Sequence, residues 1–320
     1  MRYLVTGGAG FVGSHLADTL LARGDEVICV DNFNDYYSPA RKRRNIAGAL
    51  GNPHYTLVEG DFRDTAAMEQ VFAEHRPQRI AHLGAMAGPR PSVERPLLYE
   101  EVNVRGTVNL LDLARCYDTQ GFVLASTSSV YGRAATPWSE DLATDRPLSP
   151  YAATKKAAEV LAYTFHNLYN MPTRVVRFFT VYGPRGRPDM TPYIFVDAMV
   201  KRKPITLFEG GVGVYRDWTY VDDIVAGVVA ALDSDIPFDT FNLGNSSPVQ
   251  LSDFITLLEQ VTDLEAVIDA KPLPSADPPV TFANIDKARR LLGFEPRTPL
   301  SQGLEHFWQW YRAEVLESTV

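Results

Sequence analysis

The sequence predicts an α/β fold, a doubly wound parallel sheet with a smaller C-terminal α/β lobe. Two observations predict it. Short apolar runs alternate with helical patterns through the first half of the chain, and a glycine-rich turn joins the first run to the first helical pattern. Continuous apolar runs are typical of strands buried on both faces. Their alternation with helices favours parallel strands joined by right-handed crossovers.

Six apolar runs are predicted to be strands of this sheet: Tyr3–Thr6, Glu26–Val30, Tyr55–Glu59, Arg79–Leu83, Gly121–Ala125 and Thr173–Phe178. Three long segments between them have helical spacing: Phe11–Ala22, Pro96–Cys116 and Pro150–Tyr169. Beyond Gly183 the elements become irregular, and five further helices are predicted: Thr191–Lys201, Asp222–Leu232, Leu251–Thr262, Asp286–Leu292 and Leu300–Arg312. The segment Lys271–Pro279 is predicted to be a proline-rich loop.

The composition excludes several classes of partner. The 320 residues include 31 Lys and Arg against 39 Asp and Glu, which gives a formal net charge of −8. Such a chain is not expected to bind nucleic acid, because a polyanion favours a clustered positive surface. No apolar run predicts a membrane span or a signal peptide. Two cysteines and widely spaced histidines predict neither disulfides nor a metal site, so we expect a reduced, metal-free protein of the cytoplasm.

The glycine-rich turn Thr6–Gly13 predicts a dinucleotide site. Its glycines permit a tight turn that brings backbone amides close to a pyrophosphate at a helix N-terminus. Asp31 ends the second strand. A carboxylate at this position binds both hydroxyls of the adenosine ribose of NAD and repels the 2′-phosphate of NADP. The sequence therefore predicts a Rossmann-type domain that binds NAD rather than NADP. The basic run Arg41–Arg44 is interpreted as a solvated helix face, and Asp61 is predicted to reach the adenine edge.

Tyr151 and Lys155 predict a proton-transfer pair. At this spacing the two side chains share one helix face, and a neighbouring ammonium favours the phenolate. The segment Ser126–Ser129 follows a predicted parallel strand, at the end where ligands of open α/β sheets bind. Thr127 is predicted to bond the alcohol or carbonyl that is interconverted. Ser128 and Ser129 are either substrate donors or turn residues.

These motifs resemble those of the extended short-chain dehydrogenases/reductases. The resemblance lies in Thr-Gly-Gly-x-Gly-Phe-x-Gly at 6–13, Ser-Thr-Ser-Ser-Val-Tyr-Gly at 126–132 and Tyr-x-x-x-Lys at 151–155. Segments 103–110 and 220–223 resemble the nucleotide-sugar epimerase and dehydratase branch. Within that branch, Asp-Asn-Phe-Asn-Asp-Tyr-Tyr at 31–37 and the segment 178–190 are similar to those of UDP-glucuronate 4-epimerases.

The resemblance implies NAD-dependent 4-epimerisation of a UDP-sugar through a 4-keto intermediate, most closely UDP-glucuronate to UDP-galacturonate. It implies an NAD-binding domain at residues 1–180, a UDP-sugar-binding lobe at 181–320 with some interleaved segments, and a homodimer. The catalytic residues would be Thr127, Tyr151 and Lys155. The NAD contacts would be Gly7, Gly10, Phe11, Val12, Asp31, Asn32, Asp61, Phe62, Leu83, Ala85, Tyr151, Lys155 and Phe178. The UDP-sugar contacts would be Arg90, Thr127, Ser128, Ser129, Tyr151, Thr180, Arg187, Arg216 and Asp277.

Within this set, Arg187 is predicted to bind the carboxylate at carbon 6 of the sugar through a charge-assisted contact. Oxidation at carbon 4 of a glucuronate gives a β-keto acid, which tends to lose carbon dioxide, and a bound carboxylate disfavours that loss. Arg90 and Arg216 are predicted to neutralise the diphosphate. The segment Ile205–Phe208 is similar to the strand beside the uracil in this family.

Three enzymes on the same scaffold are alternatives: a UDP-glucose/galactose 4-epimerase, a UDP-glucuronate decarboxylase and a 4,6-dehydratase. The serines that follow Thr127 offer no side-chain acid, which favours epimerisation over elimination or decarboxylation. A UDP-glucose/galactose epimerase would have no need of Arg187. A non-enzymatic NAD-binding scaffold would not need Thr127, Tyr151 and Lys155 together, and a net dehydrogenase would release NADH.

Overall fold

The structure, a computed structural model, describes residues 1–273 and 278–317. Its strands are β1 (Arg2–Thr6), β2 (Glu26–Asp31), β3 (Tyr55–Glu59), β4 (Arg79–His82), β5 (Gly121–Thr127), β6 (Thr173–Phe178), β7 (Thr180–Tyr182), β8 (Ile205–Phe208), β9 (Tyr215–Tyr220), β10 (Phe238–Leu243), β11 (Pro248–Gln250), β12 (Ile268–Lys271) and β13 (Val280–Thr281). Asp277, which was predicted to contact the ribose, lies outside the described residues.

The α-helices of the described residues are α1 (Phe11–Ala22), α2 (Pro39–Asn45), α3 (Thr65–His75), α4 (Pro89–Glu94), α5 (Pro96–Glu100), α6 (Gly106–Cys116), α7 (Pro150–Tyr169), α8 (Thr191–Val200), α9 (Val221–Asp233), α10 (Leu251–Thr262), α11 (Asp286–Leu292) and α12 (Leu300–Tyr311). A π-helical turn, Glu101–Arg105, joins α5 to α6. The predicted single helix over Pro96–Cys116 is therefore corrected to two α-helices with a π-helical turn between them. None of the described helices is both long and apolar enough to cross a membrane.

A seven-stranded parallel sheet confirms the predicted fold. Its strand order is β10-β6-β5-β4-β1-β2-β3, so the chain runs outward from β1 in both directions. The six predicted strands are all present, each within two residues of its predicted bounds. The seventh strand, β10, was not predicted. It pairs in parallel with β6, although it lies beyond the predicted domain boundary at residue 180. That boundary stays a prediction, and β10 is one of the interleaved segments.

Apolar layers cover both faces of this sheet, as the continuous apolar runs predict. Alternate residues of β1 enter opposite layers: Tyr3 and Val5 pack on one side and Leu4 on the other. Every residue of β5 is buried. Burial on both faces favours apolar side chains at every position of a strand, which explains the runs seen in the sequence.

The C-terminal lobe is built around β9, which pairs with β7, β11 and β13. A separate parallel pair joins β8 to β12, so Lys271, assigned to a loop by the sequence, ends a strand. The buried Asp217 on β9 accepts hydrogen bonds from the backbone amides of Asn245, Ser246 and Ala283 at 2.8, 3.1 and 2.9 Å. These bonds hold two connecting segments against β9.

Candidate active site

A cleft of about 300 Å³ lies at the carboxyl ends of the central strands. This is the edge of a doubly wound sheet where ligands bind. Every residue predicted to contact the dinucleotide lines it: Gly7, Gly10, Phe11, Val12, Asp31, Asn32, Asp61, Phe62, Leu83, Ala85, Tyr151, Lys155 and Phe178.

The glycine-rich turn forms the floor of the cleft. Gly7 has φ +66°, and a Cβ atom there would lie 2.8 Å from the Cα of Gly84. A Cβ at Gly13 would overlap the carbonyl oxygen of Gly7. Only glycine fits at these positions, and the resulting turn leads directly into α1. The first amides of α1 have no partner within the helix, so the turn fits a pyrophosphate.

Asp31 lies where a ribose would meet the end of β2. Its carboxylate accepts hydrogen bonds from the backbone amides of Phe33 at 2.9 Å and Ala9 at 3.2 Å. Burial raises the pKa of Asp31, whereas the positive charge of Lys42 lowers it. Asp61, on the neighbouring strand end, accepts from Asn32 at 3.0 Å and pairs with Arg63 at 2.7 Å. The two carboxylates therefore line one end of the cleft.

The basic run on α2 is not a uniformly solvated face, and that interpretation is wrong for Lys42. Its side chain is 5% exposed, lines the cleft and donates to the backbone and side-chain oxygens of Asn34, both at 2.9 Å. Arg43 is exposed and forms a two-fold contact with Glu59, at 2.8 Å for each bond. The interpretation failed for Lys42 because a run of four basic residues does not by itself show which side chain lies toward Asp31.

Replacement of Asp31 with asparagine is expected to weaken NAD binding by about 10–100-fold. A hydrogen bond to a charged group contributes about 1.5–3 kcal/mol, and the neutral amide no longer repels a 2′-phosphate. The preference for NAD over NADP should therefore narrow. Equilibrium titration of both dinucleotides checks this, with Glu59→Gln, which removes an exposed carboxylate from the adjacent strand, as the control. An unchanged preference would contradict the assigned ribose site.

Tyr151 and Lys155 point into the cleft from the first turns of α7. Ser149 caps this helix by accepting from the amide of Ala152 at 3.2 Å, and Pro150 occupies its first position. The Tyr151 ring meets Tyr99 of α5 edge to face, with centroids 6.2 Å apart. These contacts fix the start of the helix and hence the direction of the phenol.

Opposing electrostatic effects act on the two members of the pair. Burial raises the pKa of Tyr151 above its ordinary value, although a hydrogen bond from Thr127 and the positive charge of Arg187 lower it. Burial lowers the pKa of Lys155 to about 8, and the negative charge of Glu159 opposes that shift. General acid–base catalysis works best when the pKa of the group lies near the working pH, so Thr127 and Arg187 shift the pKa of Tyr151 in the direction that proton transfer requires.

A buried ion pair lies one helical turn beyond Lys155. Glu159 and Arg177 are both almost fully buried and are joined by two hydrogen bonds, of 2.9 and 2.7 Å. Ser126 donates to the same carboxylate at 2.6 Å, and Arg177 also donates to Tyr131 at 2.9 Å. The network therefore ties α7 to β5 and β6 beneath the catalytic groups. The network was not predicted, although the four-residue spacing from Lys155 to Glu159 indicates that the two side chains share one helix face.

Thr127→Val is expected to shift the pH–activity profile, so that the rise of activity with increasing pH occurs at higher pH. The threonine hydroxyl stabilises the phenolate, so its loss raises the pKa of Tyr151 and leaves less phenolate at neutral pH. We expect activity at pH 7 to fall by about 10–100-fold, since a hydrogen bond to a charged group contributes about 1.5–3 kcal/mol. Initial rates from pH 6 to pH 10 check this. In the conservative variant Thr127→Ser, the rise of activity should occur near the pH at which it occurs in the wild type.

Of the residues predicted to contact the sugar nucleotide, Tyr151 and Arg187 line the cleft. Thr127 is close enough to Tyr151 for a hydrogen bond that lowers the pKa of the phenol. Thr127 also accepts from the amide of Ser129, and the two hydroxyl oxygens lie within hydrogen-bond distance, both contacts at 3.2 Å. Ser128 and Ser129 belong to a short 3₁₀ turn after β5. Their roles as substrate donors or turn residues stay open.

The predicted contacts Arg90, Thr180 and Arg216 lie outside the lining of this cleft. The guanidinium of Arg90 on α4 lies over the ring of Phe208 on β8, 5.5 Å from its centroid. Arg216 on β9 donates to the carbonyl of Pro279 at 3.0 Å. Thr180 starts β7, which pairs with β9. The roles of these residues stay predictions.

The cleft also contains side chains that sequence reasoning missed. Tyr36, Tyr37, Met86 and Arg95 line it. The two tyrosines belong to a segment already singled out by resemblance, which was the available signal. No group of three His, Cys, Asp or Glu side chains that could hold a metal ion occurs among residues 1–273 and 278–317.

Comparison with known proteins places the chain in a family. Residues 4–307 match the family model described as GDP-mannose 4,6 dehydratase. A UDP-glucuronate 4-epimerase of Thermodesulfobacterium geofontis is 40% identical over 98% of this chain and 97% of its own. UDP-glucuronate 4-epimerase 3 of Arabidopsis thaliana is 43% identical over 96% of this chain and 76% of its own.

Solved structures agree in fold. A UDP-glucuronic acid 4-epimerase from Bacillus cereus, in complex with UDP-glucuronic acid and NAD, has a TM-score of 0.91 and 34% identity. The match covers 98% of this chain and 99% of that one. A UDP-glucose 4-epimerase from Thermotoga maritima, with UDP-glucose, has a TM-score of 0.88 and 30% identity, over 98% and 99% of the two chains. The chain therefore belongs to the extended short-chain dehydrogenase/reductase family, in the branch that contains the UDP-glucuronate 4-epimerases.

Proposed function

We propose that this protein is an NAD-dependent UDP-glucuronate 4-epimerase that interconverts UDP-glucuronate and UDP-galacturonate. One observation carries the proposal: a tyrosine–lysine pair suited to proton transfer and an arginine suited to a carboxylate line the same cleft. Arg187 is close enough to lower the pKa of Tyr151 by its charge. A sugar with a reacting hydroxyl and a nearby carboxylate can meet both groups together.

NAD would be held by the glycine-rich turn at its pyrophosphate and by Asp31 at its adenosine ribose. When bound, it supplies the acceptor, and later the donor, of the hydride at carbon 4 of the sugar. Phe178 lies at the end of β6 in the same cleft and closes one wall of the site. The tight turn supports this assignment, because a Cβ atom at Gly7 or Gly13 would clash with the backbone of Gly84 or of Gly7 and so prevent the turn that leads into α1.

Tyr151 accepts the proton of the hydroxyl at carbon 4 and later returns it to the oxygen at carbon 4, when the opposite face of that carbon has been reduced. Arg187 stabilises the phenolate by charge, and Thr127 stabilises it by a hydrogen bond. An ammonium such as that of Lys155 on the same helix face also favours the phenolate. Between these two steps the 4-keto sugar must rotate, while the uridine diphosphate stays bound. The sugar contacts therefore have to be weaker than the nucleotide contacts.

The groups around Thr127 favour epimerisation over the alternatives. Elimination and decarboxylation each need an acid that protonates a leaving hydroxyl or a carbanion. The side chains that follow Thr127 in the turn are serines, and Ser129 is already engaged with Thr127. A UDP-glucose 4-epimerase is the second candidate, favoured by the likeness to the Thermotoga maritima enzyme. A neutral sugar would leave Arg187 without a carboxylate partner from the substrate.

A single incubation tests the proposal. Purified protein is mixed with UDP-glucuronate, and UDP-galacturonate, UDP-xylose and remaining substrate are separated by chromatography. We expect UDP-galacturonate without steady growth of absorbance at 340 nm. Formation of UDP-xylose or of free NADH, or the absence of conversion, would overturn it. A parallel incubation with UDP-glucose measures how far a neutral sugar is accepted.

We also propose a homodimer formed through α4, α5 and α7. Large apolar side chains are exposed on these packed helices: Val93, Leu97, Val160 and Tyr163. Leu97 is 79% exposed, and Val160 and Tyr163 are each 52% exposed. Contiguous exposed apolar side chains mark interaction surfaces. The cytoplasmic location also remains a proposal.

Leu97→Asp is expected to shift the protein from dimer to monomer by at least about tenfold in dissociation constant. A buried, unpaired carboxylate at an interface costs several kcal/mol. Analytical ultracentrifugation measures the change. Leu291→Asp, at an exposed leucine on α11, is the matched control and should leave the assembly unchanged. A wild-type chain that sediments as a monomer would contradict the assignment.

A further inference from the structure

The guanidinium of Arg187 already holds a carboxylate of this chain. Its Nε atom donates to Asp189 Oδ1 at 2.9 Å, and its Nη2 atom donates to Asp189 Oδ2 at 2.8 Å. Nη2 also contacts the sulfur of Met190 at 3.6 Å. Nη1 forms no hydrogen bond within the part of the chain that the structure describes. One edge of the guanidinium is thus occupied, and the donors of Nη1 remain for a ligand in the cleft.

Asp189 is itself held from the nucleotide-binding side. The hydroxyl of Tyr36, in the loop after β2, donates to Asp189 Oδ2 at 3.0 Å. The Arg187 guanidinium lies 5.6 Å from the centroid of the same tyrosine ring. A Cβ atom at Gly88 would lie 2.8 Å from the Tyr36 hydroxyl, so the backbone there leaves room for it. The Asp189 carboxylate is therefore fixed by two partners from different parts of the fold.

On this geometry, and on the basis of the proposed function, we infer that Asp189 is a positioning residue that orients Arg187 and limits its grip on the sugar carboxylate. An unpaired guanidinium in this cleft would bind a carboxylate strongly even though the Arg187 side chain is 23% exposed, because charge-assisted two-fold contacts are the strongest hydrogen bonds of this kind. With Asp189 in place, the charge of Arg187 is balanced before the sugar arrives. The sugar carboxylate then meets a partly satisfied partner.

The reaction gives a reason for this limit. A 4-keto sugar has to leave its first orientation before the opposite face can be reduced, so its carboxylate has to separate from Arg187. Release would leave the partly buried guanidinium without a charged partner if Arg187 had no other, and a charge-assisted hydrogen bond is roughly twice as strong as a neutral one. Asp189 keeps the guanidinium paired throughout the rotation. The pair thus makes the carboxylate contact both specific and reversible.

The test compares binding with turnover in Asp189→Asn. Titration of UDP-glucuronate and of UDP-glucose into the NAD-loaded protein gives the dissociation constants, and steady-state assays give kcat. We expect the dissociation constant for UDP-glucuronate to fall by about 3–10-fold, that for UDP-glucose to stay within about twofold, and kcat for epimerisation to fall by about tenfold, because a stronger charge-assisted contact is harder to release. Tyr36→Phe, which removes one bond to Asp189 and leaves the Arg187 pair, should change the same quantities in the same direction by less.

Glu295→Gln is the matched control. Glu295 forms an equally two-fold but exposed pair with Arg289, at 2.6 and 3.0 Å, and its loss should change none of these quantities. Weaker binding of UDP-glucuronate, equal changes for both ligands, or no change in Asp189→Asn would overturn the inference. If Asp189→Asn does not fold, the Tyr36→Phe titrations decide by the same criteria. A different result would contradict the proposed function: wild-type protein would bind UDP-glucuronate but form no UDP-galacturonate.

Discussion

Tyr151→Phe is expected to lower kcat for UDP-glucuronate epimerisation by about 10²–10⁴-fold, the usual range for the loss of a general acid–base group. The phenyl ring can still pack edge to face against Tyr99, so the fold should remain intact. Without the hydroxyl, no phenolate stands beside Lys155 to take the proton. Steady-state assays measure kcat, and the absorbance of bound NAD shows whether the cofactor site survives.

The same helix supplies a control for this substitution. Tyr169 lies five turns further along α7, at its last residue, and is 48% exposed. Tyr169→Phe should keep kcat within about twofold, since exposed substitutions away from special features have small effects. An active Tyr151→Phe protein would show that another group removes the proton, and the assignment of Tyr151 would then be wrong.

Arg177→Met is expected to lower the free energy of unfolding by about 3–5 kcal/mol. Removal of Arg177 leaves the buried carboxylate of Glu159 with only the partly exposed ammonium of Lys156, 3.2 Å away, as an ionic partner, and costs of that size are typical when one partner of a buried ion pair is lost. Burial alone would raise the pKa of Glu159, but Arg177 holds it below its ordinary value. In Arg177→Met, Glu159 should therefore take up a proton in the folded state, and stability should rise as the pH is lowered toward 5. Chemical denaturation at several pH values measures both effects.

Two further variants sharpen this prediction. The double variant Glu159→Gln/Arg177→Met removes both charges and should recover part of the lost stability, because no buried charge is left unpaired. Glu295→Gln breaks an exposed pair and should cost no more than about 1 kcal/mol. A single variant as stable as the wild type would show that water reaches Glu159 in the folded protein.

The parts of the fold and site that the sequence predicts are those with local signals. The glycine-rich turn needs glycine because of its own backbone, and Tyr151 and Lys155 share a helix face because of their spacing. Apolar runs that alternate with helical patterns predict six strands of the central sheet, because each run can be recognised from its own residues. Each of these features can be recognised from a few neighbouring residues, without knowledge of what packs against them.

The parts that were missed depend on distant contacts. Strand β10 carries polar residues such as Asp239 and Asn242, so its sequence does not look like a buried strand. Its place in the sheet is set by pairing with β6. Lys42 is buried because Asn34 and Asp31 lie next to it in space. The hydrogen bond from Tyr36 to Asp189 likewise joins residues far apart in the chain, which no local pattern reveals.

The position of β10 also has a consequence for synthesis of the protein. On the ribosome, the first six strands of the central sheet emerge by Phe178, but the edge of β6 has no partner until Phe238 appears, about sixty residues later. An open strand edge is a template for pairing with other chains. The nascent chain therefore passes through a stage in which its nucleotide-binding half is incomplete and open to mispairing, and a fragment cut near residue 180 would be left permanently at that stage.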